Sequence, residues 1–120
     1  MGRSRVSGEV GKEKAVLRTT TSVGRVAEQL IADRLSQRGL EILARNWRNR
    51  WCEIDIVARR GPQVHIVEVK YRANTAYGFA AEDISRDQAA RLIRAAAAWS
   101  QANRHAGPYQ LDVITVEASL

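Results

Sequence analysis

A chain of 120 residues has room for one domain around one modest core. With 45% hydrophobic and 27% charged residues it has the composition of a folded protein rather than a disordered one, and no apolar run approaches the ~20 residues needed to span a bilayer. The net charge of +6 favours polyanionic partners, while a single cysteine, Cys52, excludes an internal disulfide.

The first segment, residues 1–21, is rich in Gly, Ser, Thr and charge and shows no sustained period, so it is predicted to be a disordered basic tail. It carries Arg3, Arg5, Lys12, Lys14 and Arg18 against Glu9 and Glu13, about half of the excess positive charge. No continuous apolar stretch follows Met1-Gly2-Arg3, so a secretory signal is not expected and the protein is read as cytoplasmic. Residues 22–120 form the single predicted domain.

From Ser22 onward Val23, Val26, Ala27, Leu30, Ile31 and Leu35 recur at helical spacing, with Thr21 or Ser22 as N-cap and Gly39 as the stop. Glu28 falls at the edge of that apolar stripe, where it can face a site beside the core. Three strands are predicted next, at Leu40–Trp47, Glu53–Ala58 and Val64–Tyr71. In the middle one Glu53, Asp55 and Val57 alternate with Ile54, Ile56 and Ala58. The turn residues Arg59-Arg60-Gly61-Pro62 join it to the next strand as an antiparallel hairpin. Residues 73–83 read as a loop. Ser85 and Gln88 fit a capping box ahead of an alanine-rich helix running to about Arg104, with Ala89, Leu92, Ile93, Ala96 and Trp99 on one side. Gly107-Pro108 ends it, and Tyr109–Glu117 alternates as a last strand. The order is αβββαβ, an α/β domain with a mixed sheet flanked by helices.

The hairpin places Asp55 opposite residue 67 or 68, next to Glu68, and Lys70 shares a strand face with Glu68. Two carboxylates ~4 Å apart repel by roughly 4 kcal/mol at an effective dielectric near 20. A bound cation, a shared proton or screening water resolves that conflict. Mg²⁺ or Mn²⁺ suits the first solution, with Lys70 beside an attacking water. The competing interpretation is a solvated Glu68–Lys70 ion pair on an ordinary strand, worth at most about 1 kcal/mol. Lys70 is the one lysine outside the tail in a chain of sixteen arginines and three lysines, which is compatible with a requirement for a compact ammonium or with arginine bias alone.

Between the first two strands Arg45-Asn46-Trp47-Arg48-Asn49-Arg50-Trp51 interleaves guanidinium groups with aromatic faces, the chemistry of phosphate contact and base stacking. Trp47 is assigned to the core; Trp51 fits either role. Arg48, Arg50 and Arg72 are the expected phosphate contacts. Glu53 either assists a metal or is solvated; Asp112 is read as a buried structural acid, with support of the site from behind as the alternative; His65 and Cys52 are read as packing. The Ala95–Ala98 run with Trp99 is read as core, with a homodimer seam as the alternative.

The chain resembles the YraN-like family of bacterial proteins, predicted endonucleases similar to archaeal Holliday-junction resolvases within the restriction-endonuclease-like superfamily. The matching stretches are Gly24-Arg25-Val26-Ala27-Glu28, Asn46-Trp47-Arg48, Glu53-Ile54-Asp55, Val67-Glu68-Val69-Lys70 with Arg72, Tyr77-Gly78 and Leu111-Asp112-Val113. The resemblance implies Asp55, Glu68 and the Val69 carbonyl as metal ligands, Lys70 as the catalytic lysine and Glu28 as an accessory acid. It further implies an endonuclease acting on DNA rather than RNA, on branched or structured DNA by analogy. Four positions depart from the family pattern: Ala27 and Cys52 stand where glycine is usual, Gln88 where lysine is usual and Gln110 where arginine is usual. The last two favour an alternative, a non-catalytic nucleic-acid-binding protein that keeps the nuclease fold.

Overall fold

The computed structural model describes residues 20–72 and 85–117, with side chains from Gly24 onward. The tail and the loop predicted at 73–83 therefore fall outside the described residues, apart from the start of the first helix. Six elements follow one another: α1 (Thr20–Gln37), β1 (Glu41–Arg48), β2 (Glu53–Arg60), β3 (Gln63–Arg72), α2 (Arg86–Ala102) and β4 (Tyr109–Glu117). The αβββαβ order is thus observed, and the mixed sheet between two helices is compatible with a restriction-endonuclease-like core.

The sheet runs β1-β2-β3-β4. β1 and β2 are antiparallel, as are β2 and β3, whereas β4 lies parallel to β3. The two antiparallel contacts need only short connections. The parallel one needs a crossover, which α2 supplies. Between β2 and β3 the hairpin loop shrinks to Gly61-Pro62, since Arg60 still pairs with Gln63. Gly61 takes φ +59°, the left-handed value that a two-residue hairpin loop asks of its first residue.

Each sheet face carries its own core. On one, Ala27, Ile31, Ala32 and Leu35 of α1 pack on Ile56, Ala58, Val67, Ile114 and Val116. On the other, Leu92, Ala95, Ala96 and Trp99 of α2 pack on Ile54, Val57, Val64 and Ile66. Trp47 joins this second cluster, as its core assignment requires. Burying Leu92 contributes roughly 1.5–3 kcal/mol.

The helix ends differ from expectation. α1 begins at Thr20, so Thr21 and Ser22 lie inside it rather than capping it. At its far end the Leu40 N–H donates to Leu35 O and the Gly39 N–H to Ser36 O, with Gly39 at φ +92°. That Schellman arrangement returns Leu40 to the core beside Leu35. α2 opens on the expected Ser85–Gln88 capping box but ends at Ala102, before Gly107-Pro108. Here His105 N–H donates to Ser100 O and Arg104 N–H to Gln101 O, with Arg104 holding the left-handed position at φ +54°. A second Schellman turn, built without glycine, stops the helix. Ile93, which helical spacing assigns to the packed side, is instead 52% exposed, because the buried stripe is narrower and follows Leu92, Ala95, Ala96 and Trp99.

Candidate active site

Strand β2 departs from simple alternation at Asp55. Alternation would put Ile54 and Ile56 on one face, yet Ile54 belongs to the α2-side core and Ile56 to the α1-side core. The β2–β3 pairing ends at Ile56↔Val67, one step before Asp55 would meet Glu68. On the other edge the flanking pairs Arg45↔Ile56 and Trp47↔Ile54 leave Asn46 across from Asp55, at φ +52°. Asparagine tolerates that left-handed conformation better than most residues. The ladder opens here, and a side chain takes over its hydrogen bonding.

That side chain is Asp55. Its Oδ2 accepts the Val69 N–H at 2.8 Å. In an antiparallel ladder the N–H and C=O of one residue project toward the same neighbour, so the Val69 carbonyl borders the same opening. Burial pushes the Asp55 carboxyl up; the Val69 N–H draws it partly back; the charges of Glu28, Glu68 and Glu53 push it further, to about 7. Acids from α1, β2 and β3 thus act on Asp55 through their charge.

Glu68 and Lys70 lie two residues apart on β3, both half-buried, with Nζ 3.7 Å from Glu68 Oε2. No group of three or more His, Cys, Asp or Glu side chains close enough to hold a metal ion occurs among the described residues. Any cation here would rest on the Asp55 and Glu68 carboxylates, a backbone carbonyl and water. All of these are hard oxygen donors, the set Mg²⁺ and Mn²⁺ prefer. The concentration of negative charge around Asp55 fits such an ion.

Beside Glu68 a cavity of about 340 Å³ opens between the β1–β2 turn and α2. Arg48, Arg50, Trp51 and Glu53 line it from the turn, and Arg91, Leu92 and Arg94 from the helix. Asn49 shapes the turn: its Oδ1 accepts the N–H groups of Trp51 and Cys52 at 2.8 and 2.7 Å, and its own N–H donates to Cys52 O. The tight turn leaves Trp51 80% exposed, with the Arg50 guanidinium 5.1 Å from its ring centroid. Arg48 reaches Glu53 at 3.6 Å. Cys52 packs at the margin of the α2-side core. Arg72 is half-buried at the end of β3, and its Nε is fully buried without a hydrogen-bond partner.

The α1 face holds a separate polar cluster. His65 Nδ1 lies 2.9 Å from Asp112 Oδ2, and Gln110 Nε2 donates to Asp112 Oδ1 at 2.8 Å. Gln63 donates to Gln110 in turn. An ionised Asp112 carboxylate can only accept, so with Asp112 in that form the donor of this contact is the His65 Nδ1–H. Gln88 is committed to the α2 capping box. Both glutamines that replace expected cations are therefore occupied in structural hydrogen bonds.

Sequence reasoning missed Arg91 and Arg94. They occupy one edge of α2 at i and i+3, a spacing that marks a shared helix face. Only the docking of that face against the β1–β2 turn reveals what they border.

Comparison with known proteins places these residues in context. Residues 27–116 match the model of the uncharacterised protein family UPF0102. A UPF0102 protein of Vibrio cholerae is 41% identical over 92 residues, covering 74% of this chain and 75% of the relative. One from Frankia casuarinae is 41% identical over 101 residues, 83% of this chain and 86% of the relative. A third, from Mycolicibacterium vanbaalenii, is 39% identical over 95 residues and covers 78% of both.

Proposed function

The chain belongs to the UPF0102 family, and from that premise we propose that it is a metal-dependent endonuclease, a phosphodiesterase acting on DNA. The observation that carries this reading is Asp55. A half-buried carboxyl that feels the charges of Glu28, Glu68 and Glu53 and is held up to about 7 is an electrostatic imbalance that a divalent cation relieves. Structured or branched DNA is the preferred substrate by analogy with the resolvases that the chain resembles.

Asp55, Glu68 and the Val69 carbonyl would hold Mg²⁺ or Mn²⁺, which when bound supplies Lewis acidity at the scissile phosphate and lowers the pKa of water. The chain's own groups do the rest. Lys70 presents a compact ammonium beside Glu68 and stabilises negative charge as it builds on the phosphate oxygens. Glu28 adds an acid from α1. Arg48, Arg50 and Arg72 hold phosphates of the strand, and Trp51 offers a face for a base. Among the described residues no helix is long and apolar enough to cross a membrane. The lone cysteine and the basic charge agree with a cytoplasmic protein that meets nucleic acid.

The test is a Mn²⁺ titration followed by paramagnetic broadening of backbone amide signals. Broadening centred on Asp55, Glu68 and Val69, and lost in Asp55→Asn, is the expected result. No localised broadening at millimolar metal overturns the metal site.

One observation favours a second reading, a nucleic-acid-binding protein without turnover. Gln88 and Gln110 stand where the resemblance expects cations, and each is bound into a structural network. In that case Asp55→Asn keeps or raises DNA affinity, and no substrate is cut by the wild type.

A further inference from the structure

The cavity beside Glu68 has a size and a lining that bear on the form of nucleic acid the protein takes. Its volume of about 340 Å³ sits at the low end of the ~300–1,000 Å³ typical of small-molecule sites. Four arginines line it, from two elements distant in sequence, against Glu53 and Glu68. Arg91 and Arg94 have no acidic partner among the described residues. Trp51 stands at its edge with most of its surface in water, on a turn fixed by the Trp51 and Cys52 N–H groups donating to Asn49 Oδ1, and with the Arg50 guanidinium 5.1 Å from its ring centroid. Exposing a tryptophan in this way forgoes the burial that stabilises most of its kind.

We infer that this cavity binds a single unpaired nucleotide of a DNA strand, its base stacked on Trp51 and its phosphate held by Arg91 and Arg94, next to the carboxylates at Glu68. In a duplex the bases are already stacked on one another and present no free face, so only an unpaired or extruded base can lie on the indole. The two α2 arginines give the phosphate guanidinium donors, and Glu68 joins this cavity to the acids around Asp55. The inference rests on the phosphodiesterase reading for the identity of the polymer. It adds that the protein discriminates in favour of unpaired nucleotides.

The test is fluorescence anisotropy in EDTA with two labelled probes. One is an oligothymidylate of about 12 nucleotides, within the length single-strand sites usually cover. The other is a duplex of equal charge whose two strands are joined by a non-nucleotide linker, so that it carries no unpaired base. Wild type should prefer the single strand. Trp51→Ala should weaken that probe about 5- to 150-fold, the range for loss of one stacked base, while the duplex changes far less. Trp51→Tyr should restore most of the preference. Arg91→Ala with Arg94→Ala should lower the slope of log affinity against log salt by roughly 0.7 for each phosphate that is no longer neutralised. Arg59→Ala removes the same kind of charge at the Glu41 ion pair and should leave that preference as it is. Equal weakening of both probes in Trp51→Ala, or a preference that survives it unchanged, overturns the inference. EDTA removes metal from the measurement, so such a failure is separate from failure of the Mn²⁺ titration. Metal binding without discrimination would sink the cavity assignment alone; discrimination without metal binding would sink the nuclease reading alone.

Discussion

Asp55 and Val69 are joined across the opening between β2 and β3, the carboxylate of one accepting the backbone N–H of the other at 2.8 Å. The bond occupies one carboxylate oxygen and ties the acid to the residue before Lys70. It also couples the site to the fold, because the regular β2–β3 pairing stops one residue short of Asp55.

In the absence of metal, the charge of Asp55 should cost stability. The folded carboxyl is held up to about 7 against an ordinary value of 3.8. Between those values the native state binds more protons than the unfolded one, so this group makes stability fall as pH rises from about 4 to about 7. Above the folded value the penalty is complete. Asp55→Asn keeps an acceptor for the Val69 N–H and removes the charge. In EDTA its Tm should exceed that of wild type at pH 8, and the gain should shrink toward pH 4. A Tm difference independent of pH would show that the charge of Asp55 is not what strains the site.

Lys70 is tested through turnover. Lys70→Ala should lower cleavage by roughly 10²–10³-fold, the scale for losing one group that stabilises transition-state charge. Mn²⁺ broadening at Asp55 and Val69 should persist in the same variant. Cleavage at the wild-type rate would reduce the Glu68–Lys70 contact to an ordinary strand ion pair.

Most of the frame is legible in the sequence pattern. Strand-like segments, three of them alternating, locate all four described strands, and the Gly61-Pro62 turn brings Asp55, Glu68 and Lys70 to the same end of one hairpin. The break in alternation at Asp55 is not legible. It depends on a side chain bonding to the backbone of another strand, which no local period encodes. The same limit hides the end of α2, where Arg104 takes a conformation usually left to glycine. It hides Arg91 and Arg94 as well, since their role depends on how α2 docks beside the Asn49 turn. Ile93 shows the reverse error. An apolar residue at the edge of a helical stripe counts as core by its spacing, and the narrow contact of α2 with the sheet leaves it in solvent.

Glu28 reports whether α1 contributes to the site. Its charge is one of the causes that raise the Asp55 carboxyl, after burial. Glu28→Gln should therefore move the Asp55 midpoint down from about 7, while burial keeps it above the ordinary carboxylate value. Carboxyl ¹³C chemical shifts followed through a pH titration measure this directly. An unmoved midpoint would remove Glu28 from the site and leave the resemblance without its accessory acid.

Asp112 separates a structural acid from a member of the site. It is 6% exposed on the α1 side of the sheet, where its two oxygens are bound by His65 and Gln110. Asp112→Ala leaves both donors without their acceptor in a half-buried setting. A missing partner of that kind costs about 1–3 kcal/mol, a fall in Tm on the order of 10 °C for a domain of this size. Mn²⁺ affinity should stay at the wild-type value, because both oxygens are engaged by His65 and Gln110. Thermal melts and the metal titration on one sample decide the matter. A variant that melts normally yet binds Mn²⁺ more weakly would move Asp112 from the frame into the metal site, and His65 with it.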